Sequence, residues 1–137
     1  LDVEPPLGKI RDFLTDLEPG HPGKIDLKKY GSRIFVDVAR IYAMASGVHN
    51  TNSIQRLRLA AQRLSIRSDE INAVLEGLNF IQLLRLQHQY LEGEPGTQGD
   101  NLIDPEKLNE LDRRILKESF RQARKIQTRL KLDYQVQ

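Results

Sequence analysis

Cysteine and tryptophan are absent from the 137-residue chain, and methionine occurs once. Without cysteine there is no disulfide framework, no thiolate zinc site and no thiol nucleophile, a composition suited to a reducing cytosol. No apolar run approaches the roughly 20 residues that span a bilayer, and no charged-then-apolar secretion signal opens the chain. Leu1, rather than a methionine, comes first, and we read the sequence as a piece of a longer chain with more protein upstream.

Complete catalytic sets are missing as well. Nucleotidyl transfer needs a Gly-Ser turn to grip the nucleotide phosphates and a nearby carboxylate pair to hold magnesium. Gly31-Ser32 supplies the turn, but the next acid, Asp37, is five residues on, has Ala39 where a second ligand belongs, and falls in a helical pattern. Asp16-Leu17-Glu18 has the pair spacing, yet no such turn precedes it and Pro19-Gly20 ends any strand at once. His21, His49 and His88 have no second histidine at metal-ligand spacing. No serine sits in a glycine elbow and no phosphate-gripping loop occurs, so hydrolase and kinase readings are poor.

The net charge is only +2, but it is unevenly spread. From Lys24 to Arg67 there are nine Lys or Arg against Asp26 and Asp37, whereas Ser68 to Asp104 carries Arg85 alone against seven acids. The rest, from Pro105, is basic again. Such patches can attract phosphate or simply neutralise one another across the fold. Nucleic-acid binding is the weaker reading, because Tyr30, Phe35, Tyr42, Phe80 and Phe120 fall on apolar stripes rather than forming a stacking platform.

Pro5, Pro6, Gly8, Pro19, Gly20, Pro22 and Gly23 break up the first 23 residues, leaving Leu7 to Leu17 as the ordered candidate. A short extended piece at Lys24 to Leu27 could pair with it before Gly31 breaks the chain. Then the periodicity turns helical. Ile34, Phe35, Val38, Ile41, Tyr42 and Ala45 mark a first helix ending at Gly47, with Asp37 placed between Arg33 and Arg40 on its other face. Asn50 or Thr51 caps a second, striped by Ile54, Leu57, Ala61 and Leu64. Ser68 caps a third that runs to about Leu91 and is apolar on two faces, one through Ile71, Val74, Leu75, Leu78, Ile81 and Leu84, the other through Phe80, Leu83, Leu86 and Tyr90; such a helix should be central.

The glycines of Glu92 to Asn101 mark a loop. Asp104-Pro105 and Asn109 with Asp112 then start a short helix that kinks into a long one, striped by Leu111, Ile115, Leu116, Phe120, Ala123, Ile126 and Leu130. The expected fold is an all-α helical bundle of four main helices behind a short, extended leader.

From Pro5 to Tyr134 the chain resembles the nucleotidyltransferase substrate-binding domain family of bacterial proteins. The resemblance rests on Pro5-Pro6-Leu7-Gly8, Ile25-Asp26-Leu27-Lys28 with Gly31, Val36-Asp37-Val38-Ala39-Arg40-Ile41-Tyr42-Ala43 and Thr51-Asn52. It continues through Ile54-Gln55-Arg56-Leu57, Leu84-Arg85-Leu86-Gln87-His88-Gln89 and Asn101-Leu102-Ile103-Asp104-Pro105. Gln87 departs from the basic residue usual before the His-Gln pair.

The resemblance implies residues 1–23 as the tail of a linker from a preceding nucleotidyltransferase core, and 24–137 as the helical domain. Family members sit at the C-terminus of longer signalling chains that also carry cyclic-nucleotide-binding and CBS modules, and are similar to distant relatives of the enzyme that uridylylates the PII signalling protein. It further implies a domain that is not an enzyme by itself: the core of the same chain supplies nucleotide and magnesium, and this part needs no cofactor while it holds an acceptor, a protein being one candidate. A homodimer or a signal-relay module is the alternative. The substrate-binding candidates are Asp26, Lys28, Asp37, Arg40, Arg56, Arg85, His88 and Gln89, which could converge on one polar groove. The plainer alternative is that Asp37 with Arg33 and Arg40 knits the bundle and that Arg85 satisfies helix ends.

Overall fold

A computed structural model describes residues 3–5, 23–49, 52–92 and 101–134. The expectations for Leu7 to Leu17, the Asp16/Glu18 pair, His21, Asn50, Thr51 and residues 93–100 lie outside the described residues. The element order is β1 (Ile25–Asp26), a π-helical turn (Lys28–Ser32), α1 (Arg33–Ser46), α2 (Ser53–Arg63), α3 (Ser68–Glu92), β2 (Leu102–Ile103), a 3-10 turn (Pro105–Lys107) and α4 (Glu110–Tyr134). This is the expected all-α bundle of four helices, with a two-stranded ladder added.

The helix ends follow from local chemistry. Gly47 adopts φ +74° at the end of α1, where the left-handed conformation is easy only for glycine, and the Val48 N–H then donates to the Ala43 carbonyl at 2.8 Å. The α2 cap is Asn52, two residues beyond the first expected position; its side chain accepts the Ile54 and Gln55 N–H groups at 3.0 and 3.2 Å. Ser68 lies inside α3 rather than capping it, because the Arg67 carbonyl already accepts the Ile71 N–H, while the Arg67 guanidinium grips Asp69. Before α4 the 3-10 turn is capped by Asp104 and the helix by Asn109, whose side chain accepts the Asp112 N–H at 2.7 Å. Leu108 between them is extended (ψ 148°), so the two are separate elements and not one kinked helix.

Two expectations, on Gly31 and on the Asp37 triad, need correction, and the extended piece at Lys24 to Leu27 has a partner among the described residues. Gly31 does not break the chain; it is buried inside the π-helical turn that runs directly into α1. It is glycine because an added Cβ would lie 3.2 Å from Ile81 Cγ2 and 3.5 Å from the Phe120 ring. The extended piece at 25–26 pairs antiparallel with β2, Ile25 opposite Ile103 and Asp26 opposite Leu102. Finally, among the described residues Asp37 makes no ion pair with Arg33 or Arg40, so that triad does not knit the bundle.

The core sits where α1, α3 and α4 meet, with Phe35, Tyr42, Phe120, Ile81, Leu116 and Leu130 among its fully buried side chains. Gly77 of α3 lets the backbone of α4 come close: a Cβ there would stand 3.3 Å from Ser119 Cα and 3.4 Å from the Phe35 ring. The expected first stripe of α3 is buried throughout, but of its second face Phe80 is half-buried and Leu83, Leu86 and Tyr90 are exposed. Leu111 and Ile115 of α4, and Ala45 of α1, also face outward. A periodic stripe identifies apolar positions; it does not say how many neighbours arrive to cover them.

At the far end of the pair, Arg129 donates to Glu70 at 2.5 Å. That hydrogen bond raises the guanidinium pKa above the ordinary arginine value, against an opposing effect of burial. A base raised in the folded state stabilises fully below its unfolded pKa and stops doing so only as pH climbs through the folded one, so on the arginine side the pair persists at every ordinary pH. Both side chains are 36% exposed, and solvent screening leaves the pair about 0.5 kcal/mol.

Because the α3–α4 approach depends on a missing side chain, Gly77→Val should lower the free energy of unfolding in urea by about 1 to 3 kcal/mol. Asn79→Val, exposed on the same helix, should change it by less than about 0.5 kcal/mol.

Candidate functional site

Asp26 begins the site by shaping the backbone. Its Oδ1 accepts the N–H groups of Lys28 and Lys29 at 2.9 and 3.0 Å, satisfying donors at the start of the π-helical turn. Held in this way, both lysines are exposed, with the Lys29 ammonium 5.0 Å from the Tyr30 ring centroid. Arg33 follows in the first turn of α1, and Asp37 lies one turn later on the same face.

These side chains border a cleft of about 560 Å³ whose lining also includes Ile34, Val3 and Gln127. Gln127, buried on α4, donates to the Val3 carbonyl at 2.7 Å and so ties the start of the chain to the cleft wall. The cleft therefore collects three cations and two carboxylates, and the Asp26 carboxylate is already committed to two backbone donors. Its balance favours an anionic ligand, with Asp37 left to accept a hydrogen bond or orient a cation.

Arg85 holds this region onto α3. Its Nε donates to Asn101 Oδ1 at 2.9 Å, and its Nη1 donates to Ser32 Oγ at 3.0 Å and to Gln82 Oε1 at 2.9 Å. Gln89 donates to the same Asn101 oxygen at 3.4 Å, and the Asn101 carbonyl accepts the Leu27 N–H at 2.8 Å. One guanidinium thus links the buried end of the π-helical turn, the entry to β2 and its own helix. It ties segments together rather than satisfying a helix end.

The eight sequence candidates do not share one groove. Asp26, Lys28 and Asp37 border the 560 Å³ cleft. Arg85 and Gln89 belong to the Asn101 network, while His88 borders a separate cleft of about 230 Å³ with Lys24 and Lys107. Arg40 is exposed on α1 and Arg56 half-buried on α2, and neither borders those clefts. Sequence reasoning passed over Lys29 and Gln127. The Lys28-Lys29 doublet after a capping Asp was a usable signal for the first; the second comes from α4, about a hundred residues away, with no local signal at all. Among the described residues no group of three or more His, Asp or Glu could hold a metal ion, and no helix is long and apolar enough to cross a membrane.

Residues 1–134 match the family model described as "Putative nucleotidyltransferase substrate binding domain". No curated protein and no solved structure matches the chain.

Since Arg85 makes its bonds through a planar fork, Arg85→Gln should cost about 1 to 2 kcal/mol of stability, and Arg85→Lys should recover little of it. Urea unfolding measures the cost. Amide hydrogen exchange at Leu27, whose N–H depends on the position of Asn101, should accelerate in both variants.

Proposed function

Because the chain belongs to the nucleotidyltransferase substrate binding domain family, we propose that it is a non-catalytic helical domain that holds the acceptor for a nucleotidyltransferase core packed beside it. The observation that carries this reading is the cleft bordered by Lys28, Lys29 and Arg33, with Asp37 within it. Its size is that of an ordinary ligand pocket, which runs from roughly 300 to 1,000 Å³.

Nucleotidyl transfer needs an acceptor oxygen placed in line with the nucleotide phosphate, and holding two reactants in register is a contribution that needs no chemistry from the holder. The sequence has no Gly-Ser turn followed by a carboxylate pair, so nucleotide and magnesium would come from the core. Three cations at one cleft favour an acceptor that carries negative charge, such as an acidic or phosphorylated surface. In this reading Lys28, Lys29, Arg33 and Asp37 meet the acceptor, whereas Asp26 and Arg85 keep the turn and the ladder in place.

A thermal-shift screen of acidic and phosphorylated acceptors, with and without a nucleotidyltransferase core, tests the idea. A true acceptor at 100 times its Kd should stabilise the domain by about 2.7 kcal/mol. Lys28→Glu with Arg33→Glu should weaken that binding at least tenfold and leave the melting of the free chain nearly unchanged. The same reversal at Lys125, exposed on α4, should not affect binding. Acceptor affinity indifferent to the cleft reversals would sink the reading.

A further inference from the structure

A smaller cleft, of about 230 Å³, stands apart from the one beside Lys28 and Arg33, and the two linings share no residue. Three stretches of chain build it. Leu84, Gln87 and His88 fall at i, i+3 and i+4 on α3, which puts them on one face of that helix. The pairing of Ile25 with Ile103 brings Lys24, at the entrance to β1, alongside the end of β2 and the 3-10 turn that follows it. Asp104, Lys107 and Leu108 close the other side.

The walls are of two kinds. Leu84 and Ile103, both buried, and the half-buried Leu108 give the cleft an apolar floor. Lys24 and Lys107 bring two ammonium groups to the same space, and among the described residues neither is ion-paired. Lys107 is exposed and keeps its hydration. Lys24 is half-buried, and a lysine partly withdrawn from water beside apolar side chains gives up solvation with no counter-charge to offset the loss.

Asp104 does not supply that counter-charge. It belongs to the lining, but it makes no ion pair with either lysine, and its Oδ1 accepts the Glu106 N–H at 2.9 Å as the cap of the 3-10 turn. Two cations against one carboxylate leave the cleft a surplus of positive charge even with His88 neutral. Both lysines end in rotatable donors on flexible stems, so in a space of this size they can meet one anionic group. The Gln87 amide adds a donor and an acceptor on the α3 side. An anion without an apolar body would leave the floor wet, and an apolar body without charge would leave the surplus unanswered. We propose that this cleft is a second binding site, for a small organic acid, whose apolar body lies on Leu84, Ile103 and Leu108 and whose carboxylate or phosphate meets Lys24 and Lys107. Its volume falls below the roughly 300 to 1,000 Å³ of ordinary ligand pockets, so the body is no larger than a single ring or a short branched chain.

Two-dimensional 1H–15N NMR of the 137-residue chain tests this, with benzoate and phenyl phosphate as probes. Each carries a ring of the right size, one on a carboxylate and the other on a phosphate, so their relative affinities tell which anionic group the site takes. The amides of Lys24, His88, Leu102 and Lys107 should shift saturably, with a Kd on the order of millimolar for ligands so small, while those of Lys28, Lys29 and Arg33 stay in place. Benzyl alcohol lacks the charge and inorganic phosphate lacks the body, and each should bind at least fivefold more weakly. Lys24→Gln and Lys107→Gln should each lower the affinity for the tighter acid at least threefold and leave the melting of the free chain unchanged, since neither ammonium group is ion-paired in the fold. Lys125→Gln, exposed on α4, should have no effect. Shifts centred on Lys28 and Arg33 instead would overturn the proposal, as would benzyl alcohol or inorganic phosphate binding as well as the acids, or an affinity untouched by both lysine substitutions. So would the absence of a saturable shift with either acid at about 20 mM.

Discussion

Two glycines govern how close the helices of this bundle can come. At Gly31 the turn before α1 lies against Ile81 and Phe120, and at Gly77 the backbone of α3 lies against Ser119 Cα and the Phe35 ring. Side chains at either place would push α1, α3 and α4 apart, and interiors packed like organic crystals do not absorb such a shift without loss of contact. The fully buried Phe120 lies against Gly31 and the fully buried Phe35 against Gly77, so the centre of the core and the close approach are one constraint.

What surrounds the cleft depends on that contact. With the π-helical turn seated on α3, Ser32 comes within reach of Arg85, and Arg85 draws Asn101 alongside. Asn101 in turn accepts the Leu27 N–H, and β1 and β2 pair next to it. Asp26 is then free to cap the turn with its side chain, since its backbone position is set by the ladder, and the lysines at 28 and 29 stay outside. The polar residues most prominent in the sequence thus divide by task. Asp26 and Arg85 build the scaffold, and the cations that would meet a ligand are the less conspicuous ones beside them.

The helices were legible because each carries its own evidence: a Gly at the end of α1, an Asn or Asp before α2, the 3-10 turn and α4, and apolar spacing within each. Errors of a residue or two at the caps came from runs of capping residues, Asn50, Thr51 and Asn52 in one case, where only the path of the chain selects among them. The ladder was harder. Two-residue strands have no periodicity to detect, and Ile25 finds Ile103 across nearly eighty residues of chain. Gly31 was misread for a related reason: a glycine that opens space for Ile81 and Phe120 looks, in one dimension, like a glycine that breaks a helix.

By itself the sequence determined the helical class, the presence of four main helices, the bounds of α1 and α3 to within a residue or two, and the buried stripe of α3, because these rest on residues close together in the chain. Tertiary structure alone decided which apolar positions were covered. Leu83 and Leu84 are neighbours of the same type, and only the placement of α4 and the turn before it buries one and leaves the other half exposed. It decided, too, that eight candidate residues would fall into separate places. Burial and convergence are properties of distances between segments, and those distances follow from how helices pack and not from the periodicity of any one of them.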